Sequence, residues 1–339
     1  MTGDGAVLIT GGAGYIGSHG VLAFRAAGRA VVVLDDLSNG RRAALPEDVA
    51  FVHGDVGDPD VLAAVMGAHR IGAVVHFAGS VSVPESVADP LKYYRNNTAA
   101  TRTLVEACVA HGVRRFVFSS TAAVYGIPER VPVREDAPTV PINPYGTSKL
   151  VSEWMLRDTA AAHDLGFVAL RYFNVAGADP ERRAGQRSKA ATHLIEVANH
   201  VALGVRDHVE IFGDDYDTPD GTGIRDYIHV SDLAAAHVLA LGHLEAGGAP
   251  GVFNLGTEQG YSVREVVEAV RRVTGHPVPA RTGPRRAGDP ARLVADASRA
   301  RKVLGWRPER SDLETQIADA WAWQRARHAN QTKAEAEAV

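Results

Sequence analysis

Short β-branched runs alternate with longer helical patterns through the first half of this 339-residue chain. Strands that alternate with helices in this way are typical of a parallel sheet built from right-handed βαβ units. The runs are apolar over almost their whole length, as strands buried on both faces are: AVLIT (6–10), AVVVLD (30–35), AFVHGD (50–55), AVVHFAG (73–79), RFVFSS (115–120) and FVALRYF (167–173). The pattern predicts an α/β fold with a doubly wound parallel sheet.

The pattern changes after about Asn174, where glycine, aspartate, proline and arginine accumulate in two long loops. Ser262 with Glu265, and Ser311 with Glu314, have the spacing of a capping box and predict the starts of two late helices. The two loops separate four further predicted elements. These are a helix near Ala190–Leu203, the strand HVEIFG, the helix SDLAAAHVLALGHLE and the strand GVFNLG.

This organisation predicts two structural units. A sheet domain spans 1–174, and 226–256 returns to it after the long loops. A smaller C-terminal α/β lobe contains 175–225 and 257–329. The last residues, 330–339, carry no core-forming pattern, and we expect them to form a frayed tail.

Composition restricts the partners and the compartment of the protein. The formal net charge is -4 at pH 7, and no basic stripe is present, so we expect no nucleic-acid partner. The start of the chain lacks a signal-peptide pattern, and no apolar run approaches the ~20 residues of a membrane helix. Cys108 is the single cysteine, so an internal disulfide is impossible. These features predict a cytoplasmic protein without membrane association.

The histidines do not indicate a metal site. Although the chain has 14 of them, none shows a paired ligand spacing such as H-E-x-x-H. His69, His111 and His163 fall near predicted helix C-termini, where the partial negative charge of the helix favours a histidine. We therefore assign no metal.

A glycine pattern follows the first predicted strand. TGGAGYIGSH places Gly11, Gly14 and Gly17 where the strand turns into a helix. Such glycines let the backbone approach a pyrophosphate, and the helix N-terminus supplies N–H donors; the alternative is a tight turn without a ligand. Asp35 ends the next strand, where its carboxylate can accept from a ribose 2′-hydroxyl and repels a 2′-phosphate. A Rossmann-type domain that prefers NAD to NADP is the prediction.

A second motif, NPYGTSKL at 143–150, places Tyr145 and Lys149 four residues apart after Pro144. Proline suits the first turn of a helix, so both side chains fall on one helix face. They are either a surface pair or a phenol whose acidity is tuned by an ammonium. Because a free tyrosine has a pKa of ~10, its ionisation at neutral pH requires a shift of about three units. We expect Lys149 and a positive nicotinamide to supply that shift together.

Hydroxyl groups in SSTAAVYG follow the fifth strand, at the sheet edge where doubly wound folds bind ligands. Thr121 is expected to hydrogen-bond the reacting oxygen and to hold it in line, beside Ser119 and Ser120. Thr121, Tyr145 and Lys149 are therefore the predicted catalytic residues. With a nicotinamide beside them, these residues are expected to couple the transfer of a proton to the transfer of a hydride.

Eight motifs carry a family resemblance between about Val7 and Trp323: TGGAGYIGSH, HFAG, SSTAAVYG, PYGTSKL, LRYFNVAGA, DGTGIRDYIHVSDLA, FNLG and RRAGDP. With them the chain resembles the extended short-chain dehydrogenase/reductase superfamily, and within it the UDP-glucose 4-epimerase family. The resemblance implies bound NAD⁺, a UDP-hexose substrate and a homodimer formed through helices at 90–112 and 145–163. It implies C4 epimerisation of UDP-glucose and UDP-galactose through a 4-keto intermediate, with Tyr145 removing the 4′-hydroxyl proton.

The resemblance also implies the binding residues and makes the C-terminal lobe the UDP-sugar lobe. The implied cofactor-binding residues are Gly11, Gly14, Tyr15, Ile16, Gly17, Asp35, Asn39, Asp55, Val56, Phe77, Ala78, Asn96, Ser119, Tyr145, Lys149, Tyr172 and Phe173. The implied substrate-binding residues are Thr121, Asn174, His193, Leu194, Phe212, Arg225, Arg286, Asp289 and Leu293. Arginine suits a diphosphate because its planar fork pairs with two oxygens.

Three positions depart from residues that are common in this family. Val81 stands where many relatives have a lysine near the nicotinamide ribose, so one cofactor contact is expected to be missing. His193 replaces an asparagine that commonly contacts the substrate. Leu293 stands where relatives carry a bulky tyrosine or a small cysteine or serine, which bears on the breadth of the sugar site.

Alternative functions differ in the residues that they require. A nucleotide-sugar 4,6-dehydratase shares the fold but carries Asp-Glu after the threonine, whereas Ala122 and Ala123 stand here and cannot transfer protons. A non-catalytic NAD sensor typically lacks the tyrosine or the lysine, and this chain keeps both. Epimerases of UDP-N-acetylhexosamines or UDP-pentoses remain alternatives, because the sequence leaves the preferred sugar open.

Overall fold

The structure is a computed structural model that describes residues 5–187, 192–286 and 288–337, with side chains as far as residue 330. Its strands are β1 (Ala6–Thr10), β2 (Val31–Asp35), β3 (Ala50–His53), β4 (Ile71–His76), β5 (Arg115–Thr121), β6 (Gly166–Tyr172), β7 (Asn174–Ala176), β8 (Val209–Phe212), β9 (Ile224–His229), β10 (Gly251–Leu255), β11 (Gly260–Ser262), β12 (Ala280–Gly283) and β13 (Arg292–Leu293).

The helices of the same ranges connect these strands. They are α1 (Tyr15–Ala26), α2 (Pro59–Ala68), α3 (Val83–Ala88), α4 (Pro90–Tyr93), α5 (Ala100–Ala110), α6 (Pro144–Ala162), α7 (Leu194–Ala202), α8 (Val230–Glu245), α9 (Val263–Thr274) and α10 (Leu313–Glu337). Short 3-10 turns lie at Arg42–Ala44 and Ala122–Tyr125, and π-helical turns at Tyr94–Ala99 and Ala300–Leu304.

Seven strands form the main sheet in the order β10-β6-β5-β4-β1-β2-β3, and every pairing is parallel. The first six strands along the chain thus follow the order 3-2-1-4-5-6 of a dinucleotide-binding sheet. The chain changes direction between β1 and β4, so a crevice opens at the carboxyl ends of these two neighbours. The predicted Rossmann-type fold is confirmed.

Alternate residues of each central strand face opposite sides of this sheet. On one side, Val7 and Ile9 of β1 pack in the cluster that includes Phe24 of α1 and residues of α8. On the other side, Leu8 packs with Leu104 of α5 and with residues of α2 and α6. Burial on both faces explains why the strand sequences are apolar throughout.

The remaining strands form two smaller sheets. In one, β9 pairs with β7, β11 and β13, and in the other β8 pairs with β12. Helices α7, α9 and α10 cover this region through a separate apolar cluster, which contains Ile195, Val266 and Ile317. Both α8 and β10 lie with the main sheet.

Capping side chains fix several of the helix ends. The capping box at Ser262 and Glu265 is confirmed, since each side chain accepts from the backbone N–H of the other residue. The capping box predicted at Ser311 and Glu314 is wrong: the Ser311 hydroxyl bonds a distant aspartate, and Asp312 Oδ1 instead accepts from Thr315 N, at 2.8 Å.

The positions of other helix ends are also informative. As predicted, His69, His111 and His163 terminate α2, α5 and α6. Helix α7 begins at Leu194, and Ala190, where the sequence placed its start, lies outside the described residues. The backbone of α10 is helical to Glu337, over most of the segment that the sequence predicts to be frayed.

Candidate active site

The turn from β1 to α1 has no room for side chains at two of its glycines. Gly11 has φ 69°, and a Cβ on it would lie 2.5 Å from the backbone nitrogen of Ala78. A Cβ on Gly17 would lie 2.1 Å from the carbonyl oxygen of Gly11. Gly14 is the N-cap of α1, and no side chain of the described residues caps this helix, so the N–H groups of its first turn, at Tyr15, Ile16 and Gly17, can bind an anion.

Asp35 lies beside this turn at the end of β2. Its Oδ2 accepts from the Ala13 N–H at 2.9 Å, and its Oδ1 accepts from the Leu37 N–H at 2.8 Å. Burial raises the pKa of Asp35, and these two hydrogen bonds oppose the rise. Each carboxylate oxygen retains acceptor capacity, so the side chain can also receive a ribose hydroxyl.

Further predicted cofactor residues line the carboxyl edge of the sheet. Asn39 and Asp55 are exposed after β2 and β3, and Val56 is buried. After β4, Phe77 packs against His237 of α8 with ring centroids 4.6 Å apart, and Ala78 lies over Gly11.

The segment after Ala78 is fixed by neighbouring side-chain amides. Asn96 donates to the Ser80 hydroxyl at 3.1 Å. Asn97, which the sequence did not single out, accepts from the Ser80 N–H at 2.7 Å and donates to the Ser80 carbonyl at 3.0 Å. Val81, which follows Ser80 in the chain, is 62% exposed. The crevice wall therefore has a rigid backbone and an apolar side chain at position 81.

Helix α6 brings Tyr145 and Lys149 to the end of β5. Asn143 caps this helix by accepting from the Gly146 N–H at 2.9 Å, and Pro144 occupies its first turn. Lys149 Nζ donates to the Ser119 carbonyl at 3.0 Å and is buried, which lowers the pKa of Lys149 to about 8. The two residues predicted to share a helix face thus meet Ser119 and Thr121.

The pKa of Tyr145 is shifted in an unexpected direction. Burial raises it, while a hydrogen bond with the Thr121 side chain lowers it. Burial therefore opposes ionisation of the phenol, whereas the sequence led us to expect Lys149 and a positive nicotinamide together to promote it. A positive nicotinamide beside the phenol would supply charge that favours the phenolate.

A buried polar network supports Lys149 from behind, and the sequence analysis missed it. Glu153 lies one helical turn after Lys149, opposes the lowering of its pKa, and receives a hydrogen bond from the Ser120 hydroxyl. Arg171 donates to both Glu153 oxygens, at 2.9 and 2.5 Å, and the two side chains are 6% and 4% exposed. The four-residue spacing of Tyr145, Lys149 and Glu153 was the available signal.

This network continues to the strand next to β6. Arg171 Nη1 donates to the Tyr125 hydroxyl at 2.9 Å, and that hydroxyl donates to Asn254 Oδ1 of β10 at 2.7 Å. On the other side of β5, the Ser119 hydroxyl bonds the Tyr172 hydroxyl, and burial raises the pKa of Tyr172. Ordered neighbours thus hold the end of β5 on both sides.

Five predicted substrate residues lie on the two smaller sheets and between β12 and β13. Arg225 Nη2 of β9 donates to Asp289 Oδ1 at 2.6 Å. The Arg286 guanidinium lies 4.1 Å from the ring centroid of Phe212, at the end of β8. Leu293 of β13 pairs with Arg225 in the sheet. Two guanidinium groups and a flat ring therefore lie on adjoining segments, as recognition of a nucleotide diphosphate requires.

Three other predicted substrate residues lie on different elements. Asn174 begins β7, directly after Phe173. His193 is the N-cap of α7 and Leu194 is its first residue; within the part of the chain that the structure describes, no side chain caps this helix. His193 Nδ1 is 3.0 Å from Gln186 Nε2, a residue that the sequence analysis did not consider.

The fold and the site define a class of protein. A sheet in the order 3-2-1-4-5-6, a glycine turn at its switch point and a Tyr-x-x-x-Lys helix beside it are the parts of a dinucleotide-binding protein with an acid–base site. The sequence profile of the NAD dependent epimerase/dehydratase family matches residues 7–256. The chain belongs to this family.

Relatives match the chain over almost its whole length. UDP-glucose 4-epimerase of Azospirillum brasilense is 59% identical over 320 residues, or 94% of this chain and 92% of the relative. The structure of UDP-glucose 4-epimerase from Brucella ovis in complex with NAD has a TM-score of 0.91, is 48% identical, and covers 94% of this chain and 97% of its own. The structure of UDP-glucose 4-epimerase from Bifidobacterium longum in complex with NAD+ and UDP has a TM-score of 0.89, is 41% identical, and covers 95% and 98%.

Among the helices of 5–187, 192–286 and 288–337, none combines the length and apolarity needed to cross a membrane. In the same ranges, no group of three or more His, Cys, Asp or Glu side chains is arranged to hold a metal ion.

Proposed function

We propose that this protein is an NAD-dependent isomerase that interconverts UDP-glucose and UDP-galactose by inverting C4 of the hexose. The observation that carries the proposal is the meeting of Thr121, Tyr145 and Lys149 at the end of β5, next to the glycine turn. Family membership and relatives with this activity over 94% of the chain agree with it.

The residues of the crevice fit NAD. The positions at Gly11 and Gly17 exclude side chains, so the backbone can approach a pyrophosphate, and the uncapped start of α1 offers N–H donors. Asp35 selects a free ribose hydroxyl and repels a 2′-phosphate. When bound, NAD⁺ supplies a hydride acceptor that can return the hydride, so no external oxidant is required.

Tyr145 acts as the proton acceptor and donor at the sugar 4′-oxygen in this proposal. Thr121 hydrogen-bonds the phenol and holds the reacting oxygen in line. Lys149, fixed by the Ser119 carbonyl one helical turn from Tyr145, supplies a positive charge that acts with the nicotinamide to favour the ionised phenol in this proposal. Glu153, which is paired with Arg171, acts on Lys149 through its negative charge, because that charge favours the ammonium form.

A 4,6-dehydratase reaction is disfavoured by the residues after Thr121. Elimination of water needs an acid and a base there, and the 3-10 turn at Ala122–Tyr125 begins with two alanines. The Thr121 hydroxyl also accepts from the Ala123 N–H at 3.1 Å, which fixes this turn. Epimerisation needs only the single acid–base group that Tyr145 provides.

The UDP-sugar binds against the smaller C-terminal lobe in this proposal. Arg225 and Arg286 pair with the diphosphate, and Phe212 stacks near them. Asp289 holds Arg225, while Asn174, His193, Leu194 and Leu293 complete the wall. We also propose the division of the chain into a cofactor domain, 1–174 with 226–256, and a sugar lobe, 175–225 with 257–329.

A homodimer is proposed because helices α4 and α6, with the π-helical turn at Tyr94–Ala99, carry exposed apolar side chains. Leu91 is 76% exposed, Tyr94 37% and Trp154 45%. Burial of such a patch against a second copy would remove apolar area from water. Sedimentation equilibrium of Trp154→Glu should show a monomer, and an unchanged mass would contradict this interface.

A cytoplasmic location is proposed from the chemistry of Cys108. The thiol is free and fully buried, and burial raises its pKa to about 12. It behaves as a small apolar core group on α5, and the described residues contain no disulfide bond. Fractionation of cells that express the protein would test this location.

The proposed function is tested with purified protein and UDP-galactose. UDP-glucose should accumulate to a fixed ratio without added oxidant, and Tyr145→Phe should remove this conversion while NAD stays bound. UDP-N-acetylgalactosamine and UDP-xylose are tested in parallel. No conversion of UDP-galactose by wild-type protein that retains NAD would sink the proposal, and conversion of only one of the other two sugars would replace the proposed substrate.

A further inference from the structure

Gln186 and His193 form a side-chain pair at the start of α7. The amide nitrogen of Gln186 lies 3.0 Å from Nδ1 of His193. An amide nitrogen carries hydrogens and has no acceptor capacity, so Nδ1 receives this hydrogen bond through its lone pair. In a neutral imidazole the single proton then resides on Nε2. The pair therefore specifies one tautomer.

The surroundings of His193 favour a neutral imidazole. Partial desolvation of the ring lowers the pKa of His193, while the residue as a whole is exposed. A neutral ring with a proton on Nε2 presents a single directed N–H donor. Because this donor carries no charge, it can hydrogen-bond a carbonyl as well as a phosphate oxygen.

Gln186 can impose this tautomer because α10 fixes its backbone. The Gln186 carbonyl accepts from Trp323 Nε1 at 2.8 Å and from Arg327 Nη1 at 3.1 Å. A Cβ at Gly185 would lie 2.6 Å from the Trp323 ring, and the Arg187 guanidinium lies 4.8 Å from the centroid of that ring. Gly185, Gln186 and Arg187 thus all pack against Trp323.

We infer that Gln186 is a positioning residue that fixes His193 as an Nε2–H donor to an acceptor oxygen of the UDP group. This inference rests on the proposed function, since it takes a UDP-sugar as the ligand. Gln186 does not touch the nucleotide in this account; it acts through His193. The amide thereby converts a histidine, which could otherwise accept or donate, into a donor only.

The first test measures the tautomer directly, without turnover. Nitrogen-15 NMR of labelled protein with UDP should show a protonated Nε2 and an unprotonated Nδ1 for His193, whose signals are assigned by their loss in His193→Asn. Gln186→Glu replaces the donor by an acceptor and should move the proton to Nδ1. A protonated Nδ1 in wild-type protein would overturn the inference, whatever the enzyme's activity.

The second test uses steady-state kinetics with UDP-galactose. Gln186→Leu should raise KM about tenfold and leave kcat unchanged, the loss expected for one hydrogen bond in binding. In a His193→Asn background, the amide at position 193 can donate a hydrogen bond without Gln186. Gln186→Leu should therefore change KM less than twofold in that background. Gln259→Leu, which removes an exposed glutamine, serves as the matched control.

The outcomes separate this inference from the proposed function. If wild-type protein epimerises UDP-galactose and Gln186→Leu has the same KM as Gln259→Leu, the role of Gln186 is overturned and the proposed function stands. An equal KM increase for Gln186→Leu in both backgrounds would also overturn it. Absence of wild-type turnover would refute the proposed function, and the NMR result with UDP would still decide the tautomer.

Discussion

The ammonium of Lys149 and the carbonyl oxygen of Ser119 are 3.0 Å apart, and their hydrogen bond joins α6 to the end of β5. This bond fixes the height of the ammonium at the sheet edge. A Cβ on Gly79, after β4, would lie 3.5 Å from the same ammonium. Lys149 therefore lies between the carboxyl ends of β5 and β4.

Removal of the phenol or the ammonium should affect catalysis differently. Tyr145→Phe removes the proton acceptor and should reduce kcat by about 10²–10⁴-fold. Lys149→Met removes a positive charge, so the pKa of Tyr145 rises and the active range moves to higher pH. The pH dependence of kcat measures this shift. Lys92→Met, which removes a partly exposed lysine paired with Glu85, is the control and should leave the pH profile unchanged.

Two outcomes would contradict the roles assigned to Tyr145 and Lys149. If Tyr145→Phe with bound NAD keeps near-native epimerisation, Tyr145 is not the acid–base group. If Lys149→Met keeps the wild-type pH profile at reduced kcat, Lys149 does not tune the phenol.

The buried pair of Arg171 and Glu153 should matter for stability more than any exposed pair. Glu153→Gln leaves a buried guanidinium without its countercharge, which typically costs about 3–5 kcal/mol of unfolding free energy. Glu106→Gln breaks an exposed helical pair with Arg102 and should cost no more than about 1 kcal/mol. Urea denaturation of both variants gives the comparison. Equal losses of unfolding free energy in the two variants would show that the buried pair contributes no more to stability than the exposed pair.

Glu196 should make the stability depend on pH. It is buried on α7, neither oxygen has a hydrogen-bond partner among the described residues, and burial raises its pKa from 4.5 to about 8. The folded state therefore holds a proton between pH 4.5 and 8 that the unfolded state has released, so stability falls as pH rises through this window. Glu196→Gln removes the cost of ionisation and should be more stable than wild type at pH 8, by about 3–5 kcal/mol.

Chemical denaturation at pH 5 and pH 8 tests this sign. The advantage of Glu196→Gln should be small at pH 5, where Glu196 is protonated in the folded protein. Arg327 and Arg206 oppose the raised pKa, so their substitution should enlarge the effect. An advantage of equal size at both pH values would show that ionisation of Glu196 is not its cause.

Local patterns predicted much of this architecture, because strands and helices leave a periodic record in the sequence. The first strand lies at 6–10, as its apolar run indicates, and α6 begins at Pro144 behind a capping asparagine. The Tyr145/Lys149 pair and the glycine turn were visible for the same reason. Each is a short motif whose geometry is fixed by the element that contains it.

Features that depend on distant residues were not predictable in this way. Ser311 resembles a helix cap, yet its hydroxyl bonds Asp232, 79 residues away in the chain. The Tyr125–Asn254 hydrogen bond spans 129 residues. The raised pKa of Tyr145 results from burial, which only the complete fold determines. Tertiary contact decides these cases, and no periodicity records it.

Val81 should weaken retention of the cofactor. Its side chain is 62% exposed after the crevice segment that Asn97 fixes, and it has no charge to offer a ribose or phosphate. Val81→Lys should increase the NAD retained after extensive dialysis. Val87→Lys, at an exposed valine on α3, adds the same charge elsewhere and should not. Equal retention in wild type and Val81→Lys would refute the role of this position.

Leu293 should leave the sugar site broad. It is partly buried against a cluster that contains Tyr125, Leu150 and Phe173, and it pairs with Arg225 across the smaller sheet. It therefore lies between the acid–base helix and the proposed diphosphate site. A leucine is smaller than a tyrosine and lacks a hydroxyl that could fix its orientation, so it leaves space that a 2′-N-acetyl group can use. Apolar differences of this size discriminate weakly, by about 1–3 kcal/mol.

UDP-glucose and UDP-galactose should therefore be the main pair, with slower turnover of the N-acetylated pair. Leu293→Tyr should lower kcat/KM for UDP-N-acetylgalactosamine selectively, because the ring fills the space beside C2. Leu239→Tyr, at a 38% exposed leucine of α8, controls for the added ring. A core residue without a role in specificity would instead depress both substrate pairs equally when enlarged, or neither. That result would exclude Leu293 from the wall of the sugar site.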